Sequence, residues 1–443
     1  MSSGFSGLTY SSFTTTPFVV KIFRYCNYVV RRIAMLSFTQ ELYKNFETIA
    51  VHVGSEPNPV TGAVVPPISL ATTYAQQEVG VHAGIGDQNS FGRGYEYQRS
   101  GNPTRGAFER QISACEGGKH GLAFSSGTAA TSCIANTLAN GDHVICIDDV
   151  YGGTQKLFRN VIRPKMDIEF TFMDLTDVSA VVAAILPNTK IVWMETITNP
   201  SLKITDIKAL CTAVHEANPN VNVVVDNTFA SPYLCNPLGL GADIVMQSCT
   251  KYIGGHSDVL MGAIVCNKDE LYEELRYLQN ACGAVPSPFD CYMTIRGMKT
   301  LAVRMEAAMK NAMTIATFLE NTPSYVTKVS YPGLKSHPGH MVSRNQMRGF
   351  GAMVTFYLNG GLEESSKFLK ALKILTLCVS LGAVESLAEC PALMTHANVP
   401  AETRAELGLT DNLIRVSVGV EHIDDLLSDI SQALAATFRK TLK

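Results

Sequence analysis

The chain has 443 residues, a formal net charge of −3, 46% hydrophobic and 17% charged residues. This near-neutral, ordinary globular composition excludes a disordered chain and argues against nucleic acid or an anionic membrane as partner. The length suits about three folding units around a large core, and every long apolar run is interrupted well short of a membrane span.

In chain order, residues 1–40 stand apart. They carry Lys21, Arg24, Arg31 and Arg32 and no acid, with Glu41 the first, and a dense run from Ser11 to Thr16. That is the composition of a mitochondrial transit peptide. No clean amphipathic helix is present, so a disordered extension, or an upstream start with Met35 as initiator, is preferred; the cytoplasm is the expected location.

From about residue 105, strand and helix alternate. Gly106 to Cys115 reads as a short amphipathic helix and Gly121 to Phe124 as a strand. A small-residue helix then runs past Leu138 to a stop at Asn140-Gly141. His143 to Ile147, Lys190 to Met194, Val221 to Val225 and Ala242 to Met246 are short apolar strands, separated by helices such as Ile207 to Ala217. Continuous apolar strands alternating with helices predict a mostly parallel α/β sheet covered on both faces. After about residue 300 the texture changes. Helices are expected over Leu301 to Leu319, Glu363 to Leu372 and Ile423 to Phe438, with strands at Ala352 to Phe356 and Leu413 to Ser417. This is a smaller α+β C-terminal domain. In its last helix Ile423, Leu426, Leu427, Ile430 and Leu434 form one apolar face, with Asp424 and Asp425 at the positive end of the dipole.

The 12 cysteines are scattered, the closest pair being Cys282 and Cys291, so no zinc-ribbon spacing exists and a reducing compartment is expected. His337 and His340 are close but separated by a Pro-Gly turn, so no metal is expected.

In an open parallel sheet, ligands bind beyond the C-terminal strand ends. Ser125-Ser126-Gly127-Thr128 is a small-residue turn entering a helix, suited to phosphate or to plain capping. Asp226 closes an all-apolar strand and needs a charged or hydrogen-bonded partner, which a helix cap or a protonated pyridine nitrogen supplies. Lys251 follows a core strand, flanked by Ser248 and Thr250, where a buried amine becomes a nucleophile or Schiff-base former. Tyr151 sits at another strand exit, where an aromatic ring stacks on a flat cofactor or simply packs. Phosphate cup, carboxylate, amine and ring together are the parts of a pyridoxal-phosphate site.

From Thr48 to Leu434 the chain resembles the pyridoxal-phosphate enzymes of cysteine and methionine metabolism, and within them the γ-lyases of trans-sulfuration. The resemblance rests on Asp243 to Asp258 around Lys251, Tyr95 to Thr104, Glu195 to Pro200, and Gly283 to Pro288. It implies a fold-type I, aminotransferase-like architecture: an arm over 41–104 completing the neighbouring subunit's site, a cofactor domain over 105–300 and a C-terminal domain over 301–443. It implies a homo-oligomer, a dimer of dimers, acting on a small sulfur amino acid. By similarity Lys251 carries the cofactor, and Gly127, Thr128, Ser248 and Thr250 hold its phosphate. Asp226 partners the ring nitrogen and Tyr151 stacks on the ring. Tyr97 and Arg99 reach the phosphate of the neighbouring subunit. Arg415, with Asn199 and Ser380, holds the substrate α-carboxylate. The implied activity is γ-elimination of cystathionine to cysteine, 2-oxobutyrate and ammonia, with Lys251 moving protons and Tyr151 protonating the leaving thiolate. Hydrogen sulfide release from cysteine or homocysteine accompanies it.

Two pocket positions depart from those γ-lyases. Val379 stands where they usually carry Glu, and Lys156 where they usually carry Arg. A carboxylate at 379 would meet the distal ammonium of cystathionine; an apolar residue is more usual in methionine γ-lyases and some cystathionine β-lyases. Against methionine γ-lyase, position 153 is Gly rather than Cys. Lys156 keeps a cation for a distal carboxylate. The loop Gly80 to Gly94 is longer than usual and is expected to reshape the entrance. A catalytically weak homologue is the other alternative, and the intact Lys251, Asp226, Tyr151 and Arg415 argue against it.

Overall fold

The structure, a computed structural model, describes residues 43–82, 94–397, 399 and 401–439. The extension 1–40 and the tip of the Gly80–Gly94 loop lie outside the described residues. The chain divides into two units, 1–48 and 49–443, and the fold that follows belongs to the second.

Helix α1 (Pro103–Cys115) begins three residues before the Gly106 expected from sequence. The reason is its cap. Asn102 accepts the N–H groups of Thr104 and Arg105, and Pro103 occupies the first helical position. Strand β1 (His120–Phe124) follows, then α2 (Gly127–Ala135), β2 (His143–Ile147) and α3 (Gly152–Leu157). Helix α2 stops short of the Asn140-Gly141 expected from sequence, because the Thr137 hydroxyl and N–H both close on the Ile134 carbonyl. Next come β3 (Glu169–Met173), β4 (Thr189–Glu195), α4 (Ile207–Ala217), β5 (Asn222–Asp226), β6 (Ile244–Ser248), β7 (Gly262–Cys266), α5 (Asp269–Cys282) and α6 (Pro288–Met298).

These strands form one seven-stranded sheet in the order β1-β7-β6-β5-β4-β2-β3. Strand β7 alone runs antiparallel, between β1 and β6. Every residue of β1, β2 and β7 is buried, so both faces are covered. The apolar runs read from sequence at 121–124, 143–147, 190–194, 221–225 and 242–246 all fall in or overlap this sheet. Strand β3 escaped because it is a half-exposed edge strand, paired only with β2. Strand β7 (Gly262–Cys266) is not among the strands expected from sequence, and its reversed direction is fixed only by its pairing with β1 and β6.

Helix α7 (Leu301–Glu320) leads to a second sheet, built from β8 (Val326–Ser330), β9 (Met353–Leu358), then α8 (Leu362–Ala371), β10 (Thr376–Leu377), β11 (Leu387–Glu389) and β12 (Leu413–Ser417), in the order β8-β9-β12-β11-β10. Helix α9 (Ile423–Phe438) closes the chain, with Leu426, Ile430 and Leu434 of its expected apolar face buried.

The two sheets converge on the C-terminal edge of the first. Strand β7 enters that edge at Gly262, where a Cβ would lie 2.3 Å from the Ser126 carbonyl oxygen and 2.8 Å from the Gly127 Cα. Glycine is therefore required there, by close approach to the entry of α2. Gly262→Ala is expected to cost about 1–3 kcal/mol, since backbone rather than a side-chain tip must give way. Thermal unfolding of the purified protein measures it.

Candidate active site

A cavity of about 290 Å³ opens at this edge. The first sheet contributes Gly127 and Thr128 after β1, Tyr151 after β2, Asn199 after β4, Asp226 ending β5, and Ser248, Thr250 and Lys251 at the end of β6. The second sheet contributes Val379, Ser380 and Arg415. Chain segments far apart in sequence thus meet because parallel strands deliver their C-terminal ends to one edge.

Lys251 sits in the turn after β6. Its Nζ donates to Ser380 Oγ at 2.9 Å. Burial first, and then the Arg415 charge, push its ammonium down to about 8. The turn is clamped from behind. Arg304 of α7 donates to the carbonyls of Tyr252 at 2.6 Å, Ile253 at 3.3 Å and Gly297 at 2.7 Å. From the other side Gly382, at φ +81°, presses so close that a Cβ would lie 2.7 Å from the Tyr252 nitrogen.

Asp226 is buried and accepts the Thr228 N–H at 3.0 Å. In the register of the parallel strands its neighbour is Glu195. Glu195 accepts the Tyr151 N–H at 2.7 Å, which fixes the Tyr151 backbone. Burial pushes Asp226 up to about 6, and burial together with Asp226 pushes Glu195 well up too. Among the described residues no Lys, Arg or His forms an ion pair with either.

Arg415 is almost fully buried. Its Nη1 donates to Asn199 Oδ1 at 2.8 Å and pairs with Glu389 at 2.9 Å, and its Nη2 donates to the Ser380 carbonyl at 2.8 Å. Ser380 itself holds φ +116°, a strained conformation for a non-glycine residue that sets its carbonyl toward Arg415. Asn199 is positioned by Asp149, which accepts from the Thr198 hydroxyl at 2.6 Å, from the Ser201 N–H at 3.2 Å and from the Ser201 hydroxyl.

The remaining sequence candidates behave differently. The Thr250 hydroxyl is closed on the Met261 backbone, donating to its carbonyl at 3.2 Å and accepting its N–H at 3.1 Å. Tyr97 and Arg99 line a separate depression with Tyr74, Glu96 and Asn280, Arg99 Nε donating to Asn280 at 3.2 Å. Lys156 is exposed and is no part of the cavity wall, because Thr154 and Gln155 take the inward positions of α3. Sequence reasoning gave no role to Glu195, Asp149, Arg304 or Glu389. Glu195 was accessible to the same rule that found Asp226, a carboxylate closing an apolar strand. The others show only through contacts distant in sequence.

Residues 47–435 match the family described as Cys/Met metabolism PLP-dependent enzyme, and the chain belongs to that family. It is 53% identical over 87% of its length to a cystathionine gamma-lyase of Dictyostelium discoideum, covering 97% of that protein. To the human cystathionine gamma-lyase it is 51% identical over 89% of its length, covering 94% of that protein. The crystal structure of cystathionine gamma-lyase from yeast superposes with a TM-score of 0.83 at 46% identity, over 89% of this chain and 98% of that one. The architecture is fold-type I, and the enzyme depends on pyridoxal phosphate.

The residues present suit that cofactor. The Gly127 and Thr128 N–H groups that open α2 and the Ser248 hydroxyl are donors for a phosphate. The buried carboxylate of Asp226, lacking a cation, is the group a pyridinium nitrogen would satisfy. Without the cofactor this carboxylate is a burden. Its folded value, about 6, lies above the ordinary 3.8. Its stabilising contribution is therefore complete at acid pH and lost as pH rises through about 6. Asp226→Asn should make the cofactor-free protein about 2 kcal/mol more stable near pH 8, with no difference below about pH 4. Denaturant unfolding at the two pH values tests this, and turnover should fall by at least about a hundredfold.

Proposed function

We propose that the chain cleaves L-cystathionine with water to L-cysteine, 2-oxobutyrate and ammonia, a γ-elimination in trans-sulfuration toward cysteine. The observation that carries it is Lys251, Asp226 and Arg415 converging on one cavity. Identity of about half to cystathionine γ-lyases over nearly the whole chain supports it.

Bound pyridoxal phosphate supplies an electron sink that acidifies Cα and Cβ of the substrate amino group's carbon chain. The protein supplies the rest. Arg415, fixed by Asn199 and Ser380, orients the α-carboxylate. The Lys251 amine, pushed down to about 8, takes the Cα proton and then exchanges protons at Cβ. Ser380 Oγ, 2.9 Å from Nζ, steadies that amine between the two positions. Asp226 holds the ring nitrogen positive, and Thr228 keeps it aimed. Tyr151 keeps its phenol protonated, since burial pushes it up by more than the Arg415 charge pulls it down, and so has a proton for the departing γ-thiolate.

A broadened scope is the second reading, and the apolar mouth favours it. Val379, 55% exposed, and Leu260, 63% exposed, line the entrance where a distal ammonium would lie. Homocysteine, cysteine and methionine are the substrates it would admit, with hydrogen sulfide or methanethiol released. Against a methionine-specific site, a side chain at Gly153 would collide with the Tyr151 ring, whose Cε1 lies 2.4 Å from the Cβ position.

The same proposal makes the enzyme a homodimer paired into a tetramer. The arm over 41–104 presents Val60, Val64, Leu70 and Val79 to solvent, and Tyr97 and Arg99 lie outside the Lys251 cavity of their own chain. A second copy would cover that apolar arm and receive Tyr97 and Arg99 at its phosphate. The cofactor domain over 105–300 and the C-terminal domain over 301–443 belong to this reading. So does a cytoplasmic location, with mitochondrial import through 1–40 as the alternative. Every described cysteine is free, and no described helix is long and apolar enough to cross a membrane.

Purified protein fed cystathionine should release cysteine and 2-oxobutyrate; pyruvate and homocysteine would overturn the reading in favour of β-cleavage. Val379→Glu should raise kcat/KM for cystathionine relative to methionine by about tenfold, through an ion pair to the distal ammonium. For the oligomer, Arg99→Ala and Lys251→Ala chains, each inactive alone, should recover activity when refolded together. Active monomers in solution would contradict the shared site.

A further inference from the structure

Behind the wall that carries Arg415 lies a carboxylate with no assigned role. Glu389 ends β11 directly opposite Arg415 on the antiparallel strand β12. Its Oε1 meets Arg415 Nη1 at 2.9 Å, with the two side chains 1% and 2% exposed. The Thr395 hydroxyl, on the cavity wall, donates to the same Oε1 at 2.7 Å. Glu389 does not line the cavity itself. Arg415 thus has both Nη1 hydrogens committed, to Asn199 and Glu389, and one Nη2 hydrogen committed to the Ser380 carbonyl. Its Nε–H is without a partner. Three of its five N–H donors are thus committed, which leaves the Nε–H and one Nη2 hydrogen for a ligand.

A lone guanidinium at this depth would attract any carboxylate strongly, product as well as substrate. The ion pair with Glu389 cancels that charge while keeping the fork in place. We propose that Glu389 is a positioning residue that locks Arg415 and neutralises it, so that the substrate α-carboxylate is chosen by the geometry of the fork and the product carboxylate is released. This rests on the assignment of Arg415 to the α-carboxylate in the proposed reaction. On this view the reaction ends on a monocarboxylate that must leave the seat its substrate occupied, and the buried countercharge is what weakens its hold.

The test uses the full-length, cofactor-loaded protein and propionate as a bare carboxylate probe, with propionamide as its uncharged counterpart. Binding is measured by calorimetry, which needs no turnover. Glu389→Gln keeps the shape and the acceptor for Thr395 but removes the charge. It should bind propionate about tenfold more tightly and propionamide unchanged. In the cystathionine assay its KM should fall and its kcat fall with it, as product leaves more slowly. A residue that only supported packing would weaken propionate binding and raise KM. Unchanged or weaker propionate binding in a loaded Gln variant overturns the proposal. Glu389→Asp, which retains the charge, should stay within about threefold of wild type for propionate, and a tenfold gain there would equally overturn it. If the Gln variant does not fold, the Asp variant carries the test alone. Failure of the proposed reaction shows as absent cystathionine cleavage in the wild type, a result independent of the propionate affinities.

Discussion

Lys251 holds its amine at the end of a buried strand, where burial and the Arg415 charge push it down to about 8. Most of the surrounding architecture serves to keep it there. The turn after β6 has little freedom. Arg304 grips its carbonyls from α7, and Gly382 presses on its backbone from the second sheet. An amine in such a place takes up and gives back a proton near neutral pH. A fully solvated lysine, with an ordinary value near 10.4, does so poorly.

Burying that amine obliges the site to manage other charges as well. Two carboxylates, Asp226 and Glu195, lie side by side on adjacent parallel strands without a cation. Both are pushed up by burial, and Glu195 further by the Asp226 charge beside it. Glu195 spends an oxygen on the Tyr151 backbone, which couples the Tyr151 segment to Asp226 on the neighbouring strand. On the opposite wall Arg415 and Glu389 form a closed pair. The cavity therefore has a pair of carboxylates without a cation on one wall and a charge-paired guanidinium on the other.

Two apolar residues sit farther out. Asp226 and Arg415 lie on strands and Lys251 in the clamped turn after β6, whereas Val379 and Leu260 stand at the mouth on loops. At Gly153 the space a side chain would take is filled by the Tyr151 ring.

The sequence by itself determined the alternation of apolar strands and amphipathic helices, and from that the parallel sheet. It also placed Asp226, Tyr151 and Lys251 at strand exits, because a polar residue closing an apolar run is a local signal. Helix starts were readable where a cap was recognised and missed where it was not, as at Asn102-Pro103. The tertiary structure alone decided the reversal of β7, whose apolar run is the same in either direction. It alone brought Arg304 to the Lys251 turn and Glu389 to Arg415, across separations that no spacing rule spans. It also turned the Thr250 hydroxyl toward Met261 and left Lys156 in solvent, outcomes set by which face of a turn packs inward. Local chemistry is written in neighbouring residues, whereas charge pairing in a buried site depends on the register between strands, and that register exists only once the chain has folded.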